Sequence, residues 1–367
     1  MSRPRVLFVG RTRYRLPLSP SLSEKFDALA RVLEVHVLAS AAAGSTTFGD
    51  ATFRLVPPLR PRPLDGVAFW LLLPLRAARL LRELRPEVVF CQTAYDAAAV
   101  LLARRIARVP ARVVVEVHGD WRTSTRLYGS PARRVLSRLA DTVAAAALRR
   151  ADAVRTVSPF TAGLVRELGV EPAADFPAFM HLAPFTGPPI PLPEGPVALF
   201  VGVLESYKNV DRLAAAWRLA APRIAGGSLR LVGDGTRTDV AEALVRDLGV
   251  RWDRALAPAQ VAAAMDEAWV LVLPSRSEGM GRVLVEAFSR GRGVIGARAG
   301  SIPDLVTDGV TGVLVDPDDP GALADAIVRV LSDRALAERL AEAARSAAQP
   351  WLQTPEEYAQ RMWELVR

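Results

Sequence analysis

The sequence Trp269-Val-Leu-Val-Leu-Pro-Ser-Arg-Ser-Glu-Gly-Met-Gly-Arg-Val-Leu-Val-Glu-Ala-Phe-Ser-Arg-Gly291 decides the fold class. Residues 269–273 predict a buried strand, and residues 283–290 have the apolar spacing of a helix. Apolar runs and helical segments alternate in this way along the chain, with five strands expected in each half. We therefore predict an α/β protein with two Rossmann-like, doubly wound domains whose carboxyl strand ends face each other across a cleft.

A proline-rich stretch divides the two halves of this pattern. We expect an N-terminal domain over residues 1–185 and a stiff linker over residues 186–196, which acts as a hinge. A second domain is expected over residues 197–349. Residues 350–367 predict a final helix that packs back on the N-terminal domain, because a proline and two acidic residues begin it.

Composition excludes several classes of protein. The chain has 367 residues and a single cysteine, Cys91, which rules out an internal disulfide and fits a reducing cytoplasm. Apolar runs such as residues 66–75 are too short to span a bilayer, which takes about 20 residues. No long block of like charge indicates disorder. We expect a folded cytoplasmic protein, with peripheral attachment to the inner face of the cell membrane as an open alternative.

The positive charge lies in the first half. The net charge is +8, and the first 192 residues hold 27 basic against 15 acidic side chains, whereas the remainder holds 20 against 24. Genome bias explains why almost every cation is arginine, but it does not explain this asymmetry. The first half is therefore expected to meet an anionic partner such as a phospholipid surface, a phosphorylated substrate or nucleic acid.

The loop of the quoted stretch has the residues of an anion site. Gly279 and Gly281 leave the first N–H groups of the following helix uncovered, and such groups attract phosphate at the positive helix end. Glu278 ends the loop, and Glu286 lies about two turns into the helix on the same face as its start. A carboxylate on each side of a phosphate site suits the hydroxyl groups at the two ends of a nucleotide sugar.

A second motif is Val201-Gly-Val-Leu-Glu-Ser-Tyr-Lys208, at the first strand-to-helix turn of the second half. Only Lys25 and Lys208 are lysines in a chain with 45 arginines. A lysine at this turn indicates a need for a compact point charge with three donors rather than a planar guanidinium. The alternative is an ordinary solvated surface lysine.

These motifs, together with Gly300-Ser-Ile-Pro-Asp304 and Asp308-Gly-Val-Thr-Gly312, resemble the donor-binding signature of family 4 retaining glycosyltransferases, two-domain enzymes of the GT-B fold. The resemblance implies that a sugar passes from a nucleoside-diphosphate donor to an acceptor hydroxyl, without a metal or other cofactor. In one departure, Val203 stands where the family usually has arginine, and Arg282 is a candidate replacement on the diphosphate.

The resemblance also implies roles for individual residues. Lys208 and the helix start would bind the diphosphate, Glu286 the ribose and Glu278 the sugar hydroxyls. Catalytic roles fall to Glu278 and His118. The complete set of implied donor-binding residues is Gly202, Lys208, Glu278, Gly279, Met280, Gly281, Arg282, Val283 and Glu286.

The first half holds the candidate acceptor residues. His118 follows the expected strand 112–117, and the family places a histidine here beside donor sugar and acceptor, although a lone histidine at such a place is more often structural. Asp120 and Arg122 follow it as acceptor ligands. A basic loop after the first strand would suit an anionic acceptor or be merely solvated; its arginines are Arg11, Arg13 and Arg15.

Other interpretations stay open. Phe69-Trp-Leu-Leu-Leu73 lies among arginines and predicts either a membrane-surface element or an ordinary core helix; the arginines are Arg60, Arg62, Arg76, Arg79 and Arg82. The acceptor is a small molecule, a lipid-linked sugar or a glycan. A non-catalytic nucleotide-sugar-binding protein is the main alternative. A phosphorylase-like enzyme would need a lysine that binds pyridoxal, and this chain offers no candidate for it. No nucleic-acid-binding module is recognisable in the sequence.

Overall fold

A computed structural model describes residues 3–41, 46–57, 62–123 and 131–367. The chain forms two compact units. The first unit comprises Met1–His181 together with Gln353–Arg367, and the second comprises Leu182–Leu352. Each is built on one sheet with intervening helices, so the predicted α/β class with two Rossmann-like sheets is confirmed.

The first unit contains an eight-stranded sheet with the order β3-β4-β2-β1-β5-β6-β7-β8, in which only the β3–β4 pair is antiparallel. Its strands are β1 Arg5–Tyr14, β2 Glu34–Ala41, β3 Thr46–Phe48, β4 Ala51–Val56, β5 Val88–Cys91, β6 Arg112–Val117, β7 Ala153–Thr156 and β8 Ala174–Asp175. Its helices before the second unit are α1 Pro20–Val32, α2 Arg62–Leu84, α3 Ala94–Ala107, α4 Pro131–Arg150 and α5 Pro159–Arg166. Helices α2, α3 and α4 share one apolar core, and α1 contributes to another.

The second unit contains a six-stranded, wholly parallel sheet with the order β11-β10-β9-β12-β13-β14. Its strands are β9 Val197–Val201, β10 Ser228–Val232, β11 Arg251–Asp253, β12 Val270–Leu273, β13 Gly293–Ala297 and β14 Gly312–Val315. Its helices are α6 Val210–Ala220, α7 Thr238–Leu248, α8 Pro258–Asp266, α9 Arg282–Ser289, α10 Ile302–Leu305, α11 Pro320–Leu331 and α12 Arg334–Ala348. Strand β12 is buried along its whole length, as expected where helices cover both faces of a sheet.

The last helix, α13 (Pro355–Glu364), belongs to the first unit. Thr354 caps it by accepting from the N–H of Glu357, while the Glu357 carboxylate accepts from the N–H of Thr354. The Tyr358 ring is fully buried against Phe176 and Phe179, in the core that α1 also lines. This helix therefore completes the hydrophobic core of the first unit.

The proline-rich segment 186–196, predicted as a separate linker, falls within the second unit, and its role as a hinge stays a prediction. Its carbonyls accept hydrogen bonds from arginines of that unit: Arg292 bonds to Ile190 (2.9 Å) and Arg334 to Leu192 (2.8 Å). Trp269 Nε1 donates to the Pro193 carbonyl at 2.9 Å. Proline lacks an N–H but keeps its carbonyl acceptor, which Trp269 uses at Pro193. The division falls at His181 rather than at residue 185, and the first unit resumes at Gln353 rather than at residue 350.

The apolar segment of α2 turns its aromatic side chain inward. Phe69 and Leu73 are buried in the core that α2 shares with α3, so Phe69 does not serve as a surface anchor. Arg60 lies outside the described residues, and so does the side chain of Arg62. Across the described parts of the chain, every helix is too short or too polar to cross a bilayer.

Candidate active site

A left-handed residue fixes the position of Lys208 in the second unit. The turn Ser206–Lys208 ends at Asn209, which has φ 60° and ψ 34°. Asn209 is completely buried, and its Nδ2 donates to the carbonyls of Pro274 (3.1 Å) and Pro317 (2.6 Å), which follow β12 and β14. Asparagine tolerates this backbone region better than most side chains do. Our sequence analysis missed Asn209, although an asparagine directly after the turn was the available signal.

Lys208 and Glu278, predicted as two donor-site residues, lie in direct contact. Lys208 Nζ donates to Glu278 Oε1 at 2.5 Å, and the two side chains are only 11% and 12% exposed. A charge-assisted hydrogen bond shielded in this way is stronger than a surface ion pair. The pair combines a compact cation, suited to phosphate oxygens, with a carboxylate that accepts from hydroxyl groups.

The Gly300-Ser-Ile-Pro-Asp304 loop packs against the backbone of Glu278. Gly300 has φ +58°, and a Cβ there would lie 2.6 Å from both the N and the O atom of Glu278. The N–H of Ser301 donates to the Glu278 carbonyl at 3.0 Å. Only glycine fits this approach, so the loop that carried part of the resemblance holds the Glu278 backbone in place.

A second close approach supports Lys208. The N–H of Gly202 donates to the Val232 carbonyl at 3.0 Å, and a Cβ on Gly233 would lie 1.9 Å from the Gly202 oxygen. A Cβ on Gly202 would in turn lie 3.6 Å from Lys208 Cε. Only glycine fits at this position after β10, because the loop that Lys208 packs against lies directly beside it.

Helix α9 starts directly after a left-handed glycine. Gly281, its N-cap, has φ +64°, and Arg282 begins the helix with an exposed side chain. Met280 is buried, so only its backbone faces a ligand at this turn. The first N–H groups of a helix lack partners within the helix and favour anions. The remaining two predicted donor residues at this turn, Gly279 and Val283, are half-buried.

Glu286 lies one turn after Arg282 on α9, four residues along and on the same helix face. Its side chain is half-buried. Burial raises the pKa of Glu286 to about 7, and the positive charge of Arg282 opposes part of this shift. Val203, where the family usually has arginine, is 47% exposed. An exposed Arg282 is thus compatible with a diphosphate role, which stays a prediction.

In the first unit, His118 is the first residue after β6, and Glu116 of that strand forms a buried ion pair. Glu116 Oε1 accepts from Arg155 Nη1 at 2.5 Å across the β6–β7 register. Loss of hydration beside the surrounding protein atoms lowers the pKa of His118 to about 4. The negative charge of Glu116 opposes this shift, whereas the positive charges of Arg155 and Lys25 act in the same direction. His118 keeps an exposed surface, and water there screens part of the shift. The direction of the shift makes the imidazole neutral at pH 7.

The candidate acceptor residues are arranged differently from the prediction. Asp120 Oδ1 accepts from the backbone N–H (2.9 Å) and Nε (3.1 Å) of Arg122, and Arg122 Nη1 donates to Glu167 at 3.0 Å. The two predicted acceptor ligands, Asp120 and Arg122, are thus hydrogen-bonded to each other. Arg11 and Arg13 lie within β1 rather than in a loop, since β1 continues to Tyr14 and Arg13 pairs with Ser40 of β2.

Arg15 lies just beyond β1 and is exposed, like Arg13. Arg11 is half-buried, and the neighbouring Tyr14 is buried, whereas the register of β1 is irregular between Val9 and Arg13. No cluster of three or more histidine, cysteine or acidic side chains forms a metal site within the described ranges. The absence of a metal requirement stays a prediction.

The fold defines a two-domain α/β protein of the GT-B class, with a glycine-framed strand-to-helix turn in its second unit. The family described as "Glycosyl transferases group 1" matches residues 189–347, and "Glycosyltransferase Family 4" matches residues 23–174. Together the two matches cover most of the chain. The chain belongs to the family 4 glycosyltransferases, as the sequence motifs predicted.

Individual relatives agree with this assignment. The chain is 33% identical over 158 residues to D-inositol 3-phosphate glycosyltransferase of Corynebacterium diphtheriae, which covers 40% of this chain and 37% of that protein. Sucrose-phosphate synthase from Thermosynechococcus elongatus has a TM-score of 0.80 at 20% identity, over 99% of this chain and 98% of that chain. HepE of Anabaena in complex with UDP-glucose has a TM-score of 0.72 at 18% identity, over 98% and 99%.

The two structural likenesses show a shared fold. The sequence match spans less than half the length of the curated relatives, at 31% of one and 43% of another. Activity, substrates and partners of this chain are therefore proposals.

Proposed function

We propose that this chain is a retaining glycosyltransferase, of the hexosyltransferase type, that moves a sugar from a nucleoside-diphosphate donor to an acceptor hydroxyl. The observation that carries this proposal is the shielded Lys208–Glu278 pair beside the glycine-framed start of α9. One cation, one carboxylate and free helix N–H groups meet the needs of a diphosphate joined to a sugar. The named relatives include a glycosyltransferase and a protein solved with UDP-glucose.

The proposed reaction breaks the bond between the anomeric carbon and the diphosphate oxygen, and the acceptor oxygen forms the new bond on the same face. The acceptor proton passes to the departing phosphate, a role that we take from the family resemblance. Lys208 and the N–H groups of Gly281, Arg282 and Val283 stabilise the charge that develops on the diphosphate. We expect this electrostatic stabilisation to accelerate the reaction more than any other single effect. No metal or cofactor takes part in this scheme.

Other residues would hold the reactants in place. Glu286 accepts from ribose hydroxyls, and Glu278 accepts from sugar hydroxyls while its second interaction, with Lys208, keeps it oriented. A neutral His118 polarises or positions a hydroxyl group rather than acting as a cation. The basic first unit, with Arg11, Arg13 and Arg15, fits an anionic, lipid-linked or polysaccharide acceptor. We place this reaction in glycan biosynthesis on the cytoplasmic side of the cell membrane.

The alternative is a non-catalytic nucleotide-sugar-binding protein on the same scaffold. Val203 in place of the usual arginine favours it, because one diphosphate cation is missing at that position. The two functions differ in one measurement. An enzyme releases nucleoside diphosphate from its donor when acceptor or water is present, whereas a binding protein leaves the donor intact.

A thermal-shift screen with UDP, GDP and ADP sugars tests the donor assignment. One nucleotide class is expected to raise the melting temperature. A ligand that binds only the folded protein and is present at 100 times its Kd raises the free energy of unfolding by about 2.7 kcal/mol. Free ribose and inorganic phosphate at the same concentrations serve as controls. The absence of a shift with all three classes, together with no release of diphosphate, would contradict the proposal.

Donor affinity is expected to rise with pH around neutrality. The raised pKa of Glu286, about 7, leaves its carboxyl group protonated below that value and ionised above it. An ionised carboxylate accepts two ribose hydroxyl bonds, so binding strengthens as pH rises from 6 to 8. Calorimetric titration at several pH values measures this dependence, with Glu286→Gln as the variant in which it disappears. An unchanged pH dependence in that variant would exclude Glu286 as the titrating group.

A further inference from the structure

Three neighbouring helices of the first unit expose an unusual number of aliphatic side chains. Helices α2, α3 and α4 bury one side in a common core. Of the large apolar side chains that the described residues expose, half lie on these helices: Leu71, Leu72, Leu75, Leu102, Ile106, Leu139 and Val143. We call these residues, with the exposed arginines of the same helices, the α2–α4 surface. Single exposed leucines are ordinary, whereas a cluster indicates an interaction site.

The exposed residues form stripes along each helix. Leu71 and Leu75 are four residues apart on α2, as are Leu102 and Ile106 on α3 and Leu139 and Val143 on α4. Residues at this spacing share one helix face. Leu71 and Leu139 are among the most exposed, at 72% and 63%. Each helix therefore presents an aliphatic stripe outward in addition to its buried side.

Contacts place the stripes side by side. Arg82 of α2 donates to the Ile106 carbonyl of α3 at 2.7 Å. Between α3 and α4 lies a groove of about 450 Å³, lined by Leu102 of α3 and Val143 of α4, with Arg105 and Arg150 in its walls. The three stripes thus belong to one continuous side of the first unit.

The α2–α4 surface is strongly basic. The three helices contain eleven arginines and four acidic residues. Two of those acids contribute little free negative charge: Asp96 is completely buried, and Glu83 is paired with Arg54 at 2.9 Å. Arg79, Arg105 and other arginines of these helices are exposed. Aliphatic and cationic groups therefore alternate on a side with few carboxylates.

We propose that the α2–α4 surface docks on an anionic phospholipid bilayer. The leucine stripes enter the boundary between headgroups and acyl chains, while the arginines contact lipid phosphates. Charge argues against a second copy of this chain as the occupant, because two equally basic faces repel each other. Leu71 and Leu72 of this surface belong to the segment 69–73 for which the sequence left a membrane role open, whereas Phe69 of that segment is buried. The proposal does not depend on the donor site.

Vesicle co-sedimentation tests the docking surface. The protein is expected to sediment with equimolar phosphatidylcholine and phosphatidylglycerol at low salt, to release as salt rises, and to leave pure phosphatidylcholine vesicles largely unbound. A triple variant, Leu71→Ser with Leu102→Ser and Leu139→Ser, is expected to bind at least ~10-fold more weakly because it loses apolar burial. Arg105→Gln with Arg150→Gln is expected to reduce the salt-dependent part of binding.

Matched controls keep the test specific. Leu219 and Leu248 are exposed leucines of the second unit, so Leu219→Ser with Leu248→Ser should bind vesicles like the wild type. Thermal unfolding checks that all variants fold. Equal binding to neutral vesicles, no binding by the wild type, or equal loss in the control variant would overturn the proposal. A dimer without vesicles that the triple variant abolishes would assign the surface to a second copy and overturn it too.

Discussion

Replacement of Lys208 by methionine is expected to lower kcat/KM for sugar transfer by about 10²–10³, the range for removal of one preorganised donor to a developing negative charge. Methionine keeps the apolar stem that packs beside Gly202 and removes only the ammonium group. Glu278→Gln is expected to lower the rate as well, because the amide no longer balances Lys208. Steady-state assays of transfer and of donor hydrolysis measure both effects.

A second ion pair in the same unit provides the control. Arg290 and Asp266 form a bidentate pair with distances of 2.8 and 2.6 Å and side chains that are 9% and 20% exposed, close to the burial of Lys208 and Glu278. Asp266→Asn should therefore cost similar stability and leave kcat/KM within a few-fold of the wild type. Wild-type activity in Lys208→Met, or an equal loss of kcat/KM in Asp266→Asn, would contradict the assignment of Lys208 to the donor site.

The second large effect is expected for Gly300→Ala. The new Cβ would meet the Glu278 backbone at 2.6 Å, and alanine would also have to adopt φ +58°. Strain of this kind costs about 1–3 kcal/mol per residue, and relief of the clash would shift Glu278 away from Lys208. We expect a lower melting temperature and a loss of kcat/KM of at least ~10-fold, because displacement of a catalytic group by about 1 Å costs up to 10²-fold.

Gly226→Ala separates the two causes. Gly226 has φ +66°, and nothing lies within 4 Å of its missing Cβ, so the variant carries the backbone strain without the clash. It should lose less stability than Gly300→Ala and keep its catalytic constants. If both variants lose activity equally, backbone strain alone explains the loss, and the Gly300 loop does not position Glu278.

Local pattern was enough to predict the fold class and the α9 turn. The apolar run of β12, the glycines and the helical spacing all lie within 23 residues, and a left-handed Gly281 indeed precedes the helix. The Lys208–Glu278 contact spans 70 residues. It depends on the Asn209 amide and the Gly300 approach, which are tertiary features that no local pattern contains.

Long-range contacts also explain where the structure differs from the local pattern. The prolines of residues 186–196 are typical of a linker, but Arg334, 142 residues from Leu192, provides the donor that fastens this segment to the second unit. Arg11 and Arg13 break the apolar pattern and so predicted a loop. Pairing with β2 extends the strand through them, because backbone hydrogen bonds to a neighbour tolerate exposed arginines.

The position of α13 has a consequence for synthesis of the chain. Tyr358 and its neighbours fill a core whose other walls come from the first half of the sequence. During translation the second unit has all of its residues before the first unit does, because residues 353–367 of the first unit follow the second unit along the chain. The first unit, although it is begun first, is completed after the second, and its core stays exposed in the meantime.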